Sequence, residues 1–214
     1  MRVAVQISGF LRGFHQCLPF WSNFLDSSCS YDFFVSTYDV YGYNNKTMWD
    51  FDHEDKVDLD RVANELREYG SLIDIQTRMP SDEPRYKQMF DRVSEAHQSC
   101  KDHFTDYSYI IRLRPDIFTP KKVTLVVPEN NEAIFPERWG FCEETTEESC
   151  RWTGGFGLCD QMSVCGQDAM QTYADICNLD SHSQSPEASI LNAFTGKQWS
   201  HQDFHQCVLS RNKK

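Results

Sequence analysis

The order of strand, helix and strand at the start of the chain is the feature that most constrains its fold. Residues 3–8 are small or β-branched for the most part, which is typical of a buried strand. Residues 14–25 place large apolar side chains three and four positions apart, as one face of a helix requires. Residues 32–37 predict a second strand. This order is that of a βαβ unit, which joins two parallel strands of one sheet.

The pattern along the rest of the chain continues this fold and then changes character after residue 120. Helices are predicted at 59–69 and 86–100, and strands at 71–76 and 107–113. The remaining predicted elements are long loops at 39–58 and 140–155, strands at 123–127, 133–135, 156–158 and 162–165, and helices around 169–176 and 186–194. We therefore expect an α/β protein with a Rossmann-like, mostly parallel central sheet flanked by helices, followed by a mixed α+β C-terminal half.

Charge and composition exclude several classes of partner. The chain of 214 residues carries 21 Lys and Arg against 32 Asp and Glu, a formal net charge of −11, which argues against a general binder of nucleic acids or anionic membranes because both require a basic face. No run of about 18 apolar residues is present, so no membrane span is expected. The start of the chain resembles a strand rather than a signal peptide, which favours a cytoplasmic location.

The nine cysteines favour reduced thiols over a disulfide framework. Their number is odd, no CxxC pair occurs, and several lie on apolar faces of predicted helices. Cys142 and Cys150 flank an acidic loop, and a bridge between them stays an alternative. His97 lies on the apolar face of a predicted helix, where a core histidine is favoured over a metal ligand.

A glycine follows the first predicted strand, at the point where an α/β sheet binds its ligands. The sequence there runs Ser8, Gly9, Phe10, Leu11, Arg12. Glycine lets a ligand approach the backbone closely, a helix start suits phosphate, and the arginine adds a fork that can grip a diphosphate. A plain tight turn is the alternative interpretation.

A charged segment ends the strand at 107–113. Arg112 and Arg114 alternate with apolar residues and therefore lie on the same side of the strand. Pro115 ends the strand because it lacks an N–H, so Asp116 follows at the sheet edge. A carboxylate in this position suits a hard divalent cation that also binds phosphate oxygens. The alternative is an Arg–Asp ion pair that caps the strand.

Three segments together resemble the GT-A glycosyltransferases, including viral members that glycosylate a major capsid protein. These are SGFLRG after the first strand, DFFVSTYD at the second, and YIIRLRPDIF at the fourth, where RPD stands in place of the usual DxD. The resemblance implies a single glycosyltransferase domain, with a nucleotide-sugar-binding half at 1–120, an acceptor-side half at 121–210, and a tail or linker to a further domain at 211–214.

The resemblance also implies roles for individual residues. It assigns Mn²⁺ or Mg²⁺ to Asp116, with His201 or His205 as a possible late ligand, and it assigns the acceptor side to the segment FGLCDQMSVCGQDAM and the helix SPEASILNAF. Asp160 is the first candidate for the base and Glu187 the second, while a loop or helix cap is the alternative for each. The residues expected to bind the nucleotide sugar are Ser8, Gly9, Arg12, Thr37, Tyr38, Arg112 and Arg114.

The function implied is transfer of a sugar from a UDP-sugar to a glycan or glycoprotein acceptor. The cation would assist departure of the nucleoside diphosphate, and a carboxylate base favours inversion at the sugar. Glucose or a deoxyhexose such as rhamnose is the expected sugar. Two alternatives stay open: a non-catalytic module that binds a nucleotide sugar or glycan, and a nucleotidyltransferase acting on sugar phosphates.

Overall fold

Two sheets organise the part of the chain that the structure describes. The computed structural model describes residues 1–41, 56–103, 106–142, 150–154, 158, 160–179 and 185–209. The strands are β1 (Arg2–Ser8), β2 (Ser30–Tyr38), β3 (Ser71–Arg78), β4 (Tyr109–Leu113), β5 (Ile117–Phe118), β6 (Glu132–Pro136), β7 (Arg138–Cys142), β8 (Cys150–Gly154), β9 (Met162–Cys165), β10 (Gln198–Gln202) and β11 (Cys207–Leu209). The α-helices are α1 (Phe14–Cys17), α2 (Leu59–Arg67), α3 (Arg85–His103), α4 (Gln167–Ala174) and α5 (Pro186–Phe194).

The larger sheet confirms the predicted mostly parallel architecture. Its seven strands run in the order β10, β6, β9, β4, β1, β2, β3. The predicted βαβ unit is present, because β1 pairs in parallel with β2, and β1 pairs in parallel with β4 on its other side. Within this sheet β9 runs antiparallel to both of its neighbours. The smaller sheet has the order β5, β11, β7, β8.

Alternation along β1 builds a hydrophobic core on each face of the larger sheet. Val3, Val5 and Ile7 pack with side chains of α1 and α2, whereas Ala4 packs in a second cluster with side chains of α3, α4 and α5. Successive strand residues point to opposite faces, so a strand covered by helices on both sides is apolar at nearly every position. The central sheet is therefore flanked by helices, as predicted.

The predicted helix at 14–25 is shorter than expected. An α-helix spans Phe14–Cys17, and a 3₁₀ helix then spans Leu18–Asn23. Pro19 explains the change, because proline lacks an N–H and its ring collides with the preceding turn of an α-helix. Phe14, Leu18 and Trp21 are nevertheless buried, so the apolar face was predicted correctly although the helix type was not.

The second half departs further from the sequence prediction. Residues 123–127 form no strand, and the predicted loop at 140–155 contains the end of β7 and all of β8, which pairs with it. Strands β10 and β11 were missed because they are short, and β10 is mostly exposed and lacks an apolar run. Residues 42–55, most of 156–158, and the tail at 211–214 lie outside the described residues.

The other predicted elements of this half are present. Strands β6 and β9 cover the segments predicted at 133–135 and 162–165. Helix α5 begins as its sequence indicates, since the Ser185 side chain accepts a hydrogen bond from the Ala188 N–H and Pro186 occupies the first turn. None of the described helices is both long and apolar enough to cross a membrane.

None of the cysteines described with their side chains is in a disulfide. These are Cys17, Cys29, Cys100, Cys165 and Cys177. Burial raises the pKa of the Cys100 and Cys165 thiols to about 12, so these two residues behave as small apolar side chains and not as reactive thiolates. Cys142 and Cys150 are opposite one another across β7 and β8, but their side chains lie outside the described part of the chain.

His97 is a core histidine, as its position on the helix predicted. Its ring lies between Gln6, whose Nε2 is 3.1 Å from Nδ1, and Gln171, whose Oε1 is 3.3 Å from Nε2. Burial lowers the pKa of His97 to about 4, against 6.5 ordinarily. The folded protein therefore binds fewer protons at this group than the unfolded chain does between these two pH values, and acid favours the unfolded chain.

This burial predicts a loss of stability as the pH falls from 6.5 toward 4. Each pH unit in this window is expected to lower the free energy of unfolding by about 1.4 kcal/mol through His97. Urea unfolding at a series of pH values measures the slope, and His97→Gln is expected to flatten it. His103→Gln is the control, because His103 is exposed on the last turn of α3. An equally steep slope in His97→Gln would contradict the assignment.

Candidate functional site

The carboxyl ends of β1, β2 and β4 lie side by side, because these strands are parallel neighbours. In open α/β sheets ligands bind at this edge. Gly9 follows β1, Tyr38 ends β2, and Asp116 lies just after β4. The topology therefore brings together three of the segments that the sequence analysis selected.

The turn after β1 requires glycine. Gly9 has a φ of 115°, a conformation that side chains disfavour. Its N–H donates to the Ser36 carbonyl at 3.1 Å, and its carbonyl accepts a hydrogen bond from the Thr37 hydroxyl at 2.8 Å. A side chain added at Gly9 would meet the Pro115 ring at 3.9 Å. The turns after β1 and β4 are thus close neighbours, and Thr37 supports the first of them instead of facing a ligand through its hydroxyl.

Asp116 lies in a buried cluster of opposite charges. Both of its carboxylate oxygens accept hydrogen bonds from Arg114, from Nε at 3.0 Å and from Nη2 at 2.7 Å. Arg12 approaches the same carboxylate, with Nε 3.6 Å from Oδ2. Arg114 also faces Asp160, with Nη1 3.7 Å from Oδ2. One guanidinium group therefore lies between two carboxylates.

Strand pairing explains why Asp160 reaches this cluster. Leu113 at the end of β4 pairs with Met162 at the start of β9. The Arg114 N–H extends the ladder by donating to the Gln161 carbonyl at 2.9 Å. Asp160 precedes this pairing directly and is therefore held beside Arg114, although the two residues are far apart in sequence. The Asp160 carboxylate makes no hydrogen bond within the described residues, and the ion pair with Arg114 is its described polar contact.

Charge pairing keeps Asp116 ionised despite its burial. Burial raises the pKa of the Asp116 carboxyl, but the guanidinium groups of Arg114 and Arg12 lower it by more, so the pKa lies below its ordinary value of 3.8. Arg114 adds hydrogen bonds to the same carboxylate, which act in the same direction. At neutral pH the cluster therefore consists of two guanidinium groups around a carboxylate anion.

The residues at Asp116 do not fit a divalent cation in this arrangement. Arg114 occupies both carboxylate oxygens that a cation would need. Among the described residues, no three His, Cys, Asp or Glu side chains cluster as a metal site would require. The arrangement is the Arg–Asp pair that the sequence analysis kept as the alternative interpretation of this segment.

An aromatic pair borders the cluster. The Tyr38 ring stacks on Phe10, with 4.1 Å between ring centroids, and the Arg92 guanidinium lies over the Tyr38 ring at 5.6 Å. Tyr38 is buried, and burial raises the pKa of its hydroxyl to about 12. Arg12 lies over the Phe10 ring at 5.8 Å. The half-buried Phe10 is thus the aromatic ring that this edge presents outward, whereas Tyr38 supports it from within.

Arg112 and Ser8 are buried without hydrogen-bond partners for their side chains. Arg112 is fully buried, and none of its three guanidinium nitrogens has a hydrogen-bond partner among the described residues. Its guanidinium lies over the Tyr173 ring at 5.6 Å, beneath α4. The Ser8 hydroxyl is likewise buried without a partner in the described part of the chain. Of the two arginines predicted on one side of β4, only Arg114 contacts Asp116.

Three predicted residues lie apart from the cluster in the contacts of the described chain. Glu187 is in the first turn of α5, where a carboxylate favours the helix dipole. His201 is on β10, with Nδ1 3.2 Å from the Pro136 carbonyl oxygen. His205 has a positive φ of 46°, and its Nδ1 lies 3.4 Å from Asp203. Among the described residues, Glu187 and His201 form no hydrogen bond or ion pair with Asp116, and the metal-ligand role of His201 and His205 stays a prediction.

Phe10 and Arg92 are members of the site to which the sequence analysis gave no role. Phe10 lies in the glycine turn itself, and a bulky apolar residue between Gly9 and Arg12 is a signal that could have indicated it. Arg92 is buried on the inner face of α3 and forms an ion pair with Glu95 at 2.7 Å. An arginine on the apolar face of a predicted helix gives no local sign of its partner, so only the packing of α3 on β2 reveals it.

Comparisons with known proteins relate the chain by fold. No family model matches it, and no curated protein matches it. A solved crystal structure, described as a glycosyltransferase involved in the glycosylation of the major capsid of PBCV-1, superposes with a TM-score of 0.51. The superposition covers 99% of this chain and 95% of that chain, at 8% sequence identity. The chain shares the fold of a glycosyltransferase.

The likeness concerns the fold and not the individual residues. At 8% identity, the positions of donor-binding and reacting groups in the neighbour cannot be transferred to this chain. The predicted α/β glycosyltransferase-like architecture agrees with the match, whereas the narrower GT-A assignment stays a prediction.

Proposed function

We propose that the chain is a glycosyltransferase that moves a sugar from a UDP-sugar to a hydroxyl group of a glycan or glycoprotein. The observation that carries the proposal is the meeting of the glycine turn, two arginines and two carboxylates at the ligand-binding edge of a sheet whose fold a glycosyltransferase shares. Ligands of α/β sheets bind at this edge, and arginine forks suit a diphosphate.

Each group in the cluster has a part in the proposed transfer. Arg12 and Arg114 bind the diphosphate, and Gly9 lets it approach the backbone closely. The oxygen of the acceptor hydroxyl attacks the anomeric carbon while the bond from that carbon to the diphosphate oxygen breaks. The departing oxygen keeps the electron pair, and Asp160 takes the acceptor proton. Attack from the face opposite the leaving group inverts the anomeric carbon.

Asp160 is the stronger of the two candidate bases on geometric grounds. Its carboxylate lies at the cluster, and its contact with Arg114 at 3.7 Å is too long for a hydrogen bond, so its oxygens can accept a proton. Glu187 has no contact with the cluster among the described residues. The uracil is proposed to lie against Phe10, which Tyr38 supports by stacking.

The proposed acceptor and sugar depend on likeness to other proteins and not on contacts in this structure. The structural neighbour is described as acting in glycosylation of a viral major capsid protein, which supports a glycoprotein acceptor for this chain. Glucose or a deoxyhexose such as rhamnose is the proposed sugar. The proposed location is the cytoplasm, which for a viral protein is that of the host cell. Assistance by Mn²⁺ or Mg²⁺, which the sequence analysis expected, is not part of this proposal, because the residues at Asp116 do not fit a cation in this arrangement.

A donor panel tests the proposed function. The purified protein is incubated with UDP-glucose, a UDP-linked deoxyhexose and other nucleotide sugars, each with a glycan acceptor, in Mn²⁺ and separately in chelator. Release of UDP together with a new glycoside, detected by NMR, is the expected result for at least one donor. Nucleotide binding without turnover for every donor would instead favour a non-catalytic binding module, which the closed Arg114–Asp116 pair would suit.

A further inference from the structure

The cluster around Asp116 places a guanidinium group where the resemblance to metal-dependent transferases leads one to expect a cation. Arg114 spans the two carboxylates, with hydrogen bonds to both oxygens of Asp116 and a contact of 3.7 Å with Asp160. Arg12 adds a second guanidinium at 3.6 Å. Asp116 and Asp160 thus both face guanidinium nitrogens of Arg114.

Exposure decides which of these charges a ligand meets first. The side chains of Asp116 and Asp160 are 4% and 11% exposed, whereas those of Arg114 and Arg12 are 20% and 26% exposed. The carboxylate side chains are therefore the more buried, and the arginine side chains are the more exposed. An anion that approaches this edge meets positive charge before it meets negative charge.

Arginine supplies what a diphosphate needs from a cation. The guanidinium group stays charged at all physiological pH values and carries five N–H donors, of which the hydrogen bonds from Arg114 to Asp116 use two. A fork that carboxylates already hold in place loses less conformational entropy when it binds a ligand. The Phe10 ring beside Arg12 further restricts that side chain.

We propose that Arg114 and Arg12 bind the diphosphate of the donor directly, without a divalent cation, and that Asp116 is a positioning residue for both arginines. This inference rests on the nucleotide-sugar transfer proposed above and concerns its binding step. Asp116 orients Arg114 through two hydrogen bonds and Arg12 through their ion pair. The carboxylate then contacts no phosphate oxygen itself.

Calorimetric titration of UDP and of uridine into the full chain tests the inference, in chelator and in Mn²⁺. The Kd of UDP is expected to differ by less than about threefold between the two conditions, because no cation bridges the phosphates. Arg114→Met and Arg12→Met are each expected to weaken UDP binding by about tenfold or more, since each removes charged hydrogen bonds to phosphate. Uridine, which lacks phosphate, is expected to bind all of these proteins equally.

The role of Asp116 as a positioning residue is tested by comparing the UDP and uridine affinities of Asp116→Asn. It is expected to weaken UDP relative to uridine in chelator, whereas a purely structural role would change both ligands alike or only the thermal stability. Arg67→Met on the exposed face of α2 is the matched control and is expected to leave both affinities unchanged. If Arg114→Met does not fold, Arg12→Met still tests whether an arginine binds the phosphates. Arg12 is more exposed than Arg114, so its replacement disturbs the fold less.

Two results would overturn the inference. One is UDP binding that requires Mn²⁺, survives Arg114→Met and Arg12→Met, and is lost in Asp116→Asn, because the carboxylate would then be a cation ligand. The other is no UDP binding under either condition.

The donor panel distinguishes the two proposals. Turnover only with Mn²⁺ supports the transferase but not this inference. Metal-free UDP binding without turnover supports this inference but not the transferase.

Discussion

Replacing Asp160 by asparagine is expected to lower the rate of sugar transfer by about 10²–10⁴-fold while UDP binding stays nearly unchanged. The asparagine amide keeps the size of the side chain but cannot accept the proton of the acceptor hydroxyl. The contact of 3.7 Å between Arg114 and Asp160 is not a hydrogen bond, so its loss leaves the Arg114–Asp116 pair intact. Single-turnover rates with saturating donor and acceptor measure the change.

Two controls make this result specific to Asp160. Asp102→Asn changes an exposed carboxylate on the last turn of α3 and is expected to leave transfer unaffected. Glu187→Gln tests the second candidate base. Full transfer by Asp160→Asn together with a large loss in Glu187→Gln would show that Glu187 takes the proton. Full transfer by both variants would contradict a carboxylate base at either position.

Replacing Arg112 by methionine is expected to stabilise the protein, by about 1–4 kcal/mol in the free energy of unfolding. A buried guanidinium without a hydrogen-bond partner is costly, because it loses its hydration and gains nothing equivalent in return. The Tyr173 ring at 5.6 Å offsets only part of this cost. Methionine fills a similar space without the charge. For a chain of this size the midpoint of thermal unfolding is expected to rise by about 2–4 °C per kcal/mol.

Urea unfolding of Arg112→Met and of Arg67→Met separates the effect of burial from that of charge alone. The exposed Arg67 is expected to change stability by less than about 0.5 kcal/mol when replaced. A stability loss in Arg112→Met would contradict the absence of a partner for Arg112 and would indicate a buried acceptor such as ordered water. A simultaneous fall in UDP affinity would agree with the predicted role of Arg112 in binding the nucleotide sugar.

The parallel half of the sheet was predictable because its strands are buried on both faces. Such strands are nearly continuous apolar runs, and residues 3–8 and 32–37 show this pattern without help from the rest of the chain. The edge strand β10 has no such run, and its pairing with β6 is decided by contacts distant in sequence. The failure at residues 14–25 is of another kind, since Pro19 was visible in the sequence and outweighs the apolar periodicity around it.

The candidate site was predictable in its position but not in its contacts. The rule that ligands bind after the carboxyl ends of parallel strands selected the segments at Gly9, Tyr38 and Asp116, and strand pairing places these segments at one edge of the sheet. Whether Asp116 faces a cation or a guanidinium depends on the turn geometry of Arg114, which no local pattern specifies. The environment of Arg112 was equally hidden, because alternation places it on the same side as Arg114 but does not reveal that α4 covers it.

The antiparallel strand β9 fixes the position of Asp160 relative to the end of β4. The groups proposed to hold the donor all precede residue 117, whereas Asp160 arrives from beyond the hairpin of β7 and β8. Its spacing from Arg114 is set by the β4–β9 ladder and not by the length of the chain between them. Insertions between β7 and β8 are therefore expected to leave the contact between Arg114 and Asp160 unchanged, because they leave the β4–β9 ladder intact.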